Sequence, residues 1–254
     1  MPDKSDAELG GCEVTQVAIV IPALNEETAL PRVLRHLSLL DPAPAQTILV
    51  DGGSHDRTAA LAQAEGLQVL SSPPGRARQI NLGVRAATAP LVCVLHADTL
   101  LPDDAVAVIR RTLADEQIAL AGFAPLLSGP GGVRWVTSFH NWMKTWYAPL
   151  LFRPLLFARG GRLLFGDHAM FFRRADFLAV GGCDERLRAM EDADLCIRMT
   201  ARGRVRLVNR VVITSDRRVA AWGEWRANRI YVSVGIRWGL GLRKRLDTSY
   251  PDVR

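Results

Sequence analysis

The chain has little of what would hold a small secreted domain together or build a metal centre from protein alone. Its four cysteines, Cys12, Cys93, Cys183 and Cys196, stand at no metal-ligand spacing, and Cys93 lies in an apolar run where a thiol behaves as a small hydrophobe. The pattern reads as that of a reducing compartment, so the expected localisation is cytoplasmic. The first ten residues are polar and acidic rather than basic and then apolar, so 1–14 reads as a flexible leader and not a secretory signal. Charge-free stretches such as 118–133 are interrupted by Gly and Pro and fall short of the roughly 20 apolar residues that span a bilayer. No transmembrane helix is expected. The Gly52-Gly53 pair matches neither G-x-G-x-x-G nor the phosphate loop ending in Gly-Lys-Ser/Thr, which removes the main support for dinucleotide and ATPase readings. There is no internal repeat and no low-complexity segment.

What is present is one core's worth of chain, 254 residues, with a formal net charge of +6 that is unevenly placed. Residues 1–200 carry 19 Lys/Arg against 22 Asp/Glu, while 201–254 carry 13 against 4. A basic block of this kind suits a membrane surface, a nucleic acid, a phosphate-bearing substrate or simply a solvated face.

The first half alternates short β-branched runs with helical periodicity, the pattern of a parallel α/β sheet. Buried strands are expected at 17–21, 47–50, 67–70 and 91–95. Between the first two, Leu30, Val33, Leu34, Leu37 and Leu40 recur at helical spacing, with Pro31 tolerable in the first turn. Ser54 or Asp56 is placed to cap a helix beginning near Thr58 and stopping at Gly66, and further helices are expected at 75–87 and 103–113. In such a sheet ligands gather at the carboxyl ends of the strands. Those ends carry Pro22-Ala23-Leu24-Asn25-Glu26, Asp51-Gly52-Gly53-Ser54 and His96-Ala97-Asp98-Thr99.

The second half is less regular. Strands are expected at 118–123, 165–172 and 205–213, and a helix should open at Met190-Glu191-Asp192-Ala193-Asp194. Trp135, Phe139, Trp142, Trp146 and Tyr147 fall on one helical face, which favours core packing over an acceptor-binding platform. From 222 to 242, Trp, Ile, Val and Leu mix with Arg226, Arg229 and Arg237, as in interfacial helices or in a helix packed on the domain.

Several residues suit phosphate and proton chemistry. A carboxylate at a strand end, Asp98, can bind Mg or Mn bridging two phosphate oxygens, with His96 two positions earlier on the same side of the strand; the bland alternative is an Asp capping a turn. Asp51 can accept hydrogen bonds from a base or ribose, or cap its own turn. Arg76 and Arg78 start a helix near the same edge, where a diphosphate would offset their cost to the helix dipole. One acid of Glu191, Asp192 and Asp194 can take a proton from an attacking hydroxyl, although acids are favoured in a first helical turn in any case.

The segments Ile19-Val20-Ile21-Pro22-Ala23-Leu24-Asn25-Glu26-Glu27, Val50-Asp51-Gly52-Gly53-Ser54, His96-Ala97-Asp98-Thr99 and Met190-Glu191-Asp192, in that order, resemble the family-two glycosyltransferases. Gly75-Arg76-Ala77-Arg78-Gln79-Ile80-Asn81 and Gly166-Asp167-His168-Ala169-Met170-Phe171 look like one subgroup, the radical-SAM/selenodomain-associated or arsenosugar-biosynthesis glycosyltransferases. The resemblance covers about residues 15–240. It implies an α/β GT-A fold: a Rossmann-like, mostly parallel central sheet flanked by helices, with an acceptor-side extension and a C-terminal helical tail. It implies a leader at 1–14, a catalytic domain at 15–220 whose nucleotide-binding half is about 15–124 and acceptor half about 125–220, and a basic amphipathic tail at 221–254. Pro22, Leu24 and Glu26 would line the nucleotide pocket, Asp51 would contact the nucleoside, Asp98 would hold metal and diphosphate, and Asp192 would be the base. His96 stands where many relatives have Asp, which alters the metal contacts. Arg217-Arg218 to Trp222 is only loosely similar to the Gln-x-x-Arg-Trp element of processive synthases, so polymer synthesis is not implied.

The implied activity is inverting, metal-dependent transfer of a sugar from a nucleoside-diphosphate sugar to an acceptor hydroxyl. The implied partners are that donor and an acceptor the residues do not name, with no nucleic acid and with peripheral membrane contact through the tail. Two rivals are a sugar nucleotidyltransferase, which would carry a Gly-rich loop where Pro22 to Glu27 has no glycine, and a noncatalytic nucleotide-sugar-binding or membrane-surface module.

Overall fold

A computed structural model describes residues 16–187 and 189–241; the leader at 1–14, with Cys12, and the end of the basic tail, 242–254, lie outside the described residues. The first half follows the expected alternation: β1 (Val17–Ala23), α1 (Leu30–Leu37), β2 (Gln46–Asp51), α2 (Thr58–Ala64), β3 (Gln68–Ser71), α3 (Arg76–Ala86), β4 (Leu91–Val94), β5 (Thr99–Leu100) and α4 (Ala105–Leu113). Strands β3-β2-β1-β4 lie side by side and parallel. Pro22 pairs with Val50 and Ala23 with Asp51, which levels the carboxyl ends of β1 and β2.

Side chains of β1 alternate between two apolar layers, as period-2 geometry requires. Val17, Ile19 and Ile21 face Leu30, Val33 and Leu34 of α1 and Ile109 of α4. Ala18 and Val20 face Ile80 and Val84 of α3. Gly83 permits this approach, because a Cβ there would overlap the Val20 side chain. Pro31 sits in the first turn of α1, where its missing N–H costs nothing.

The second half comprises β6 (Ile118–Gly129), β7 (Gly132–Val133), α5 (Trp135–Phe152), α6 (Pro154–Ala158), a 3-10 turn (Gly166–His168), β8 (Phe171–Arg173), α7 (Arg174–Ala179), α8 (Glu191–Met199), β9 (Arg204–Ser215), α9 (Arg217–Trp222) and α10 (Glu224–Gly239). The sheet runs β3-β2-β1-β4-β8-β6-β9-β5 with β7 on β6. It is mixed, not mostly parallel: β8 is antiparallel to both β4 and β6, and β5 is antiparallel to β9. Apolar periodicity marks a buried strand but carries no information on its direction.

Two further expectations are corrected. The strand expected at 165–172 is a 3-10 turn followed by three strand residues, because Ala169 at φ 42° breaks the extended run. The aromatic face of α5 does not pack in the core. Trp135, Phe139, Trp142 and Trp146 are 70%, 60%, 44% and 38% exposed, while Thr137, Ser138, Asn141 and Thr145 are buried. The polar side turns inward because it finds partners there: Ser138 Oγ accepts the Leu127 N–H at 2.9 Å, Thr137 Oγ1 donates to Glu224 at 3.1 Å, and Thr145 Oγ1 meets His168 Nε2 at 3.2 Å. Among the described residues no helix is long and apolar enough to cross a membrane.

Candidate active site

The loops leaving β1 and β2 are tied to each other. The Asn25 N–H donates to Ser54 Oγ at 2.9 Å, that of Glu26 to Thr58 Oγ1 at 2.8 Å and that of Glu27 to Asp56 at 3.1 Å, while Asn25 Oδ1 accepts the His55 N–H at 2.9 Å. Asn25 adopts φ 54°, a left-handed conformation Asn tolerates better than most residues. Asp56, not Ser54, receives the Thr58 N–H at the start of α2. From α3, Gln79 Nε2 donates to the carbonyls of Ala23 at 2.7 Å and Val50 at 2.9 Å, a clamp the sequence did not signal. A Cβ on Gly52 would strike that amide.

Asp51 caps its own turn and keeps capacity to spare. Its Oδ2 accepts the N–H groups of Gly53 and Ser54 at 3.1 and 3.0 Å, whereas Oδ1 is buried and has no hydrogen-bond partner. A buried carboxylate oxygen left so is costly, and Asp51 itself does not line the cavity.

A single cavity of about 1060 Å³ collects Pro22, Leu24, Glu26, Arg76, Arg78, His96, Asp98 and Asp192, that is, every expected site residue except Asp51. It also collects Arg217, which sequence reasoning missed. The Thr99–Thr214 hydroxyl bond, 3.0 Å, draws the end of β9 onto β5 and so delivers α9 to the edge. Arg217 then donates to both oxygens of Glu26 at 2.8 and 3.0 Å and to Asp98 Oδ2 at 2.8 Å. The signal available was an arginine pair inside a basic block, which has no address until β9 is placed.

The three acids opening α8 are separated by their neighbours. Asp194 pairs with Arg198 at 2.8 Å, and Arg198 also donates to the carbonyls of Val180 and Gly182. Glu191 pairs with Arg76. Asp192 faces the cavity, its Oδ2 accepting the Gly166 N–H and its Oδ1 the Ala193 N–H, each at 2.7 Å, with Arg76 Nη2 at 3.9 Å. Met190, at φ 65°, sets the entry of this helix in a conformation unusual for a non-glycine residue. A Cβ on Gly166 would collide with the His96 ring, which is the reason for glycine there. Arg78 is more exposed than Arg76 and lies 3.7 Å from Glu185.

Charge is distributed unevenly across the cavity. Burial and the repulsion of Glu191 push Asp192 up to about 6, against the opposing pull of Arg76. Glu191 is buried too, but Arg76 bonds it directly and holds it below the ordinary carboxyl value. Burial and then Arg76 lower His96, against the attraction of Asp167 and Asp98. Burial disfavours the charge on Asp167, yet His96, Lys144 and Arg218 outweigh it and hold the carboxyl down. Burial drives Lys144 down against the attraction of Asp167 and Asp192. Lys144 Nζ sits 3.9 Å over the Phe165 ring. Among the described residues no three His, Cys, Asp or Glu side chains converge as a metal site.

Residues 18–181 match the model of glycosyl transferase family 2. An uncharacterised glycosyltransferase of Mycobacterium tuberculosis is 43% identical over 83 residues, 32% of this chain and 36% of the relative, so the chain spans about a third of the length of the curated relatives it first matches. A PGL/p-HBAD biosynthesis glycosyltransferase of Mycobacterium bovis is 26% identical over 71% of this chain and 68% of its own. Among solved structures, a Pyrobaculum calidifontis mannosyltransferase in complex with GDP-Man and Mn2+ superposes with a TM-score of 0.64 at 18% identity, covering 91% of this chain and 64% of the other. Glucosyl-3-phosphoglycerate synthase from Mycobacterium tuberculosis, in complex with Mg2+ and UDP, gives 0.61 at 21% identity, covering 92% and 83%. The matched span covers more than half of the chain and contains the β1, β2 and β4 edges just described, and the chain belongs to glycosyl transferase family 2.

Proposed function

We propose that the protein transfers a sugar from a nucleoside-diphosphate sugar to an acceptor hydroxyl with inversion at the anomeric carbon. The observation that carries this reading is Asp192, a cavity-facing carboxylate oriented by two backbone N–H groups and raised to about 6. A base so tuned is deprotonated at neutral pH yet basic enough to take the acceptor's proton. As that proton moves to Asp192, the acceptor oxygen bonds to the anomeric carbon and the bond to the diphosphate breaks.

On the donor side, Asp51 Oδ1 would receive the nucleoside, Pro22, Leu24 and Glu26 would line its pocket, and Arg76 and Arg78 would face the diphosphate. Asp98, a carboxylate at the cavity, with His96 two residues before it, would hold a divalent cation. Mg or Mn there would neutralise the leaving diphosphate. Arg217, bonded to both Glu26 and Asp98, would add its positive charge on the diphosphate side. Mn2+ or Mg2+ with a nucleotide ligand in the two structural neighbours supports this reading.

The segments 75–81 and 166–171 support the radical-SAM/selenodomain-associated subgroup as the finer assignment. We take 15–220 as the catalytic domain and the tail from 221 as a peripheral membrane contact. A nucleotidyltransferase would release pyrophosphate from a sugar phosphate and NTP; this chain should not. The test is a thermal-shift panel of UDP, GDP, CDP and dTDP sugars with and without Mn. One nucleotide should stabilise the protein in a Mn-dependent way and be released as the diphosphate in the presence of an acceptor. Stabilisation by none of them would overturn the proposal, and binding without turnover would reduce the protein to a noncatalytic module.

A further inference from the structure

The cavity is lined by two unlike sets of residues. Asp98, His96 and Asp192 belong to one; the other comes from α5, with Ala148, Leu151 and Phe152, and from α10, with Val232, Gly235 and Ile236. Within this second set Leu151, Val232 and Ile236 are still 67%, 41% and 46% exposed. The opening is thus rimmed by hydrocarbon, which a water-soluble sugar acceptor has no use for and which water disfavours.

Two glycines of α10 differ in what they explain. A Cβ on Gly239 would overlap the Phe152 ring, so that glycine is needed where the helices touch. A Cβ on Gly235 would meet nothing within 4 Å. Glycine inside a helix is unfavourable relative to alanine, and here no neighbour demands it. What it leaves is open space among the apolar residues that line the cavity.

The surface around the opening has matching chemistry. Lys144 is the only charged residue in α5 and it points inward, so the helix's outer face of Trp135, Phe139, Trp142, Trp146 and Leu150 carries no charge. On α10, Trp225, Val232, Ile236 and Leu240 recur on one exposed side with Arg229 among them. Trp and aliphatic side chains mixed with arginine suit the interface of a bilayer, and this helix carries Arg226, Arg229 and Arg237 against Glu224 alone, a charge that favours anionic lipid.

We propose that the acceptor is a lipid in an anionic membrane, with its hydroxyl-bearing head at Asp192 and its hydrocarbon chain leaving the cavity between α5 and α10. This rests on the reading of Asp192 as the base and names the acceptor class for it.

The full chain is titrated with n-dodecyl β-D-maltoside below its micelle concentration and with methyl β-D-maltoside, and floated with vesicles of phosphatidylcholine alone or with one quarter phosphatidylglycerol. The dodecyl compound should bind at least about 100-fold more tightly, since each buried CH2 adds to affinity. Gly235→Leu, which fills the open space and suits a helix, should lose at least tenfold on the dodecyl compound and leave nucleoside-diphosphate binding unchanged; Gly235→Ala is the folding control. Flotation should require phosphatidylglycerol and fall about fivefold in Phe139→Ser/Trp142→Ser, whose positions are exposed. Equal affinity for the two glycosides, an inert Gly235→Leu, or no flotation would overturn the lipid assignment. Sugar transfer as fast to a short soluble acceptor as to lipid would overturn it while leaving glycosyl transfer standing. Amphiphile binding with no nucleotide sugar consumed in the presence of lipid would overturn glycosyl transfer and leave only the lipid site.

Discussion

The two sides of the cavity are held by contacts of very different reach. On the donor side, Asn25 meets Ser54 and Glu26 meets Thr58, 29 and 32 residues apart, between loops that follow neighbouring parallel strands. On the acceptor side and across the cavity, Arg76 meets Glu191 over 115 residues and Arg217 meets Glu26 over 191. The first set follows from strand order alone. The second exists only once the mixed sheet has closed, so the chemistry of Asp192 depends on the whole fold while the Asp51 turn depends on one supersecondary unit.

That difference can be broken or sharpened by substitution. The largest effect should come from Asp192→Asn, which keeps the shape of the side chain and removes the base. Turnover should fall by about 10²–10⁴-fold with nucleotide binding preserved, measured as nucleoside-diphosphate release and as thermal shift. Asp98→Ala comes next: turnover should drop by roughly 10²-fold or more and the Mn-dependent part of the thermal shift should vanish, locating the cation on the donor side. Gln79→Ala removes the clamp on the ends of β1 and β2 without touching α8. It should cost about 1–2 kcal/mol in urea denaturation and raise the donor KM more than it lowers kcat. The smallest effect belongs to Trp142→Ser, which should cost about 1 kcal/mol, because the ring is 44% exposed and packs on Phe139 and Trp146 of the same helix. A core tryptophan would cost about 3–5 kcal/mol, so this variant separates the two placements of the α5 aromatic face.

How much was legible in the sequence follows the same division. Strands β1, β2 and β4 and the residues at their ends could be read because burial on both faces gives continuous apolar runs and a strand end needs no partner to be located; β3, expected as a buried strand, is instead the partly exposed edge of the sheet. Asp51, Asp98 and the Asn25-Glu26 turn were found that way. Strand direction could not be read, which is why the antiparallel setting of β8, and with it the mixed sheet, was missed. The α5 face was misjudged because an aromatic stripe at helical spacing describes a face without saying what it faces, and the polar stripe opposite had partners in Leu127, Glu224 and His168 that no local pattern shows. Arg217 and Gln79 lie in segments that carry a family resemblance, but their contacts across the sheet edge, Arg217 on Glu26 and Asp98 and Gln79 on the Ala23 and Val50 carbonyls, leave no local signal. The choice among Glu191, Asp192 and Asp194 is the sharpest case. All three suit a first helical turn, and only Arg198, Arg76 and the Gly166 N–H distinguish them.

The most direct test of Asp192 as the base is the pH dependence of turnover at saturating donor, with the protein intact across the range. Because burial and Glu191 raise Asp192 to about 6, the carboxylate is protonated below that pH and charged above it. The rate should therefore be level near pH 7–8 and fall about tenfold per unit below about 6, while the residual rate of Asp192→Asn shows no such limb. A wild-type rate that stays level through pH 5, or an Asn variant that keeps the same acid limb, would contradict the assignment.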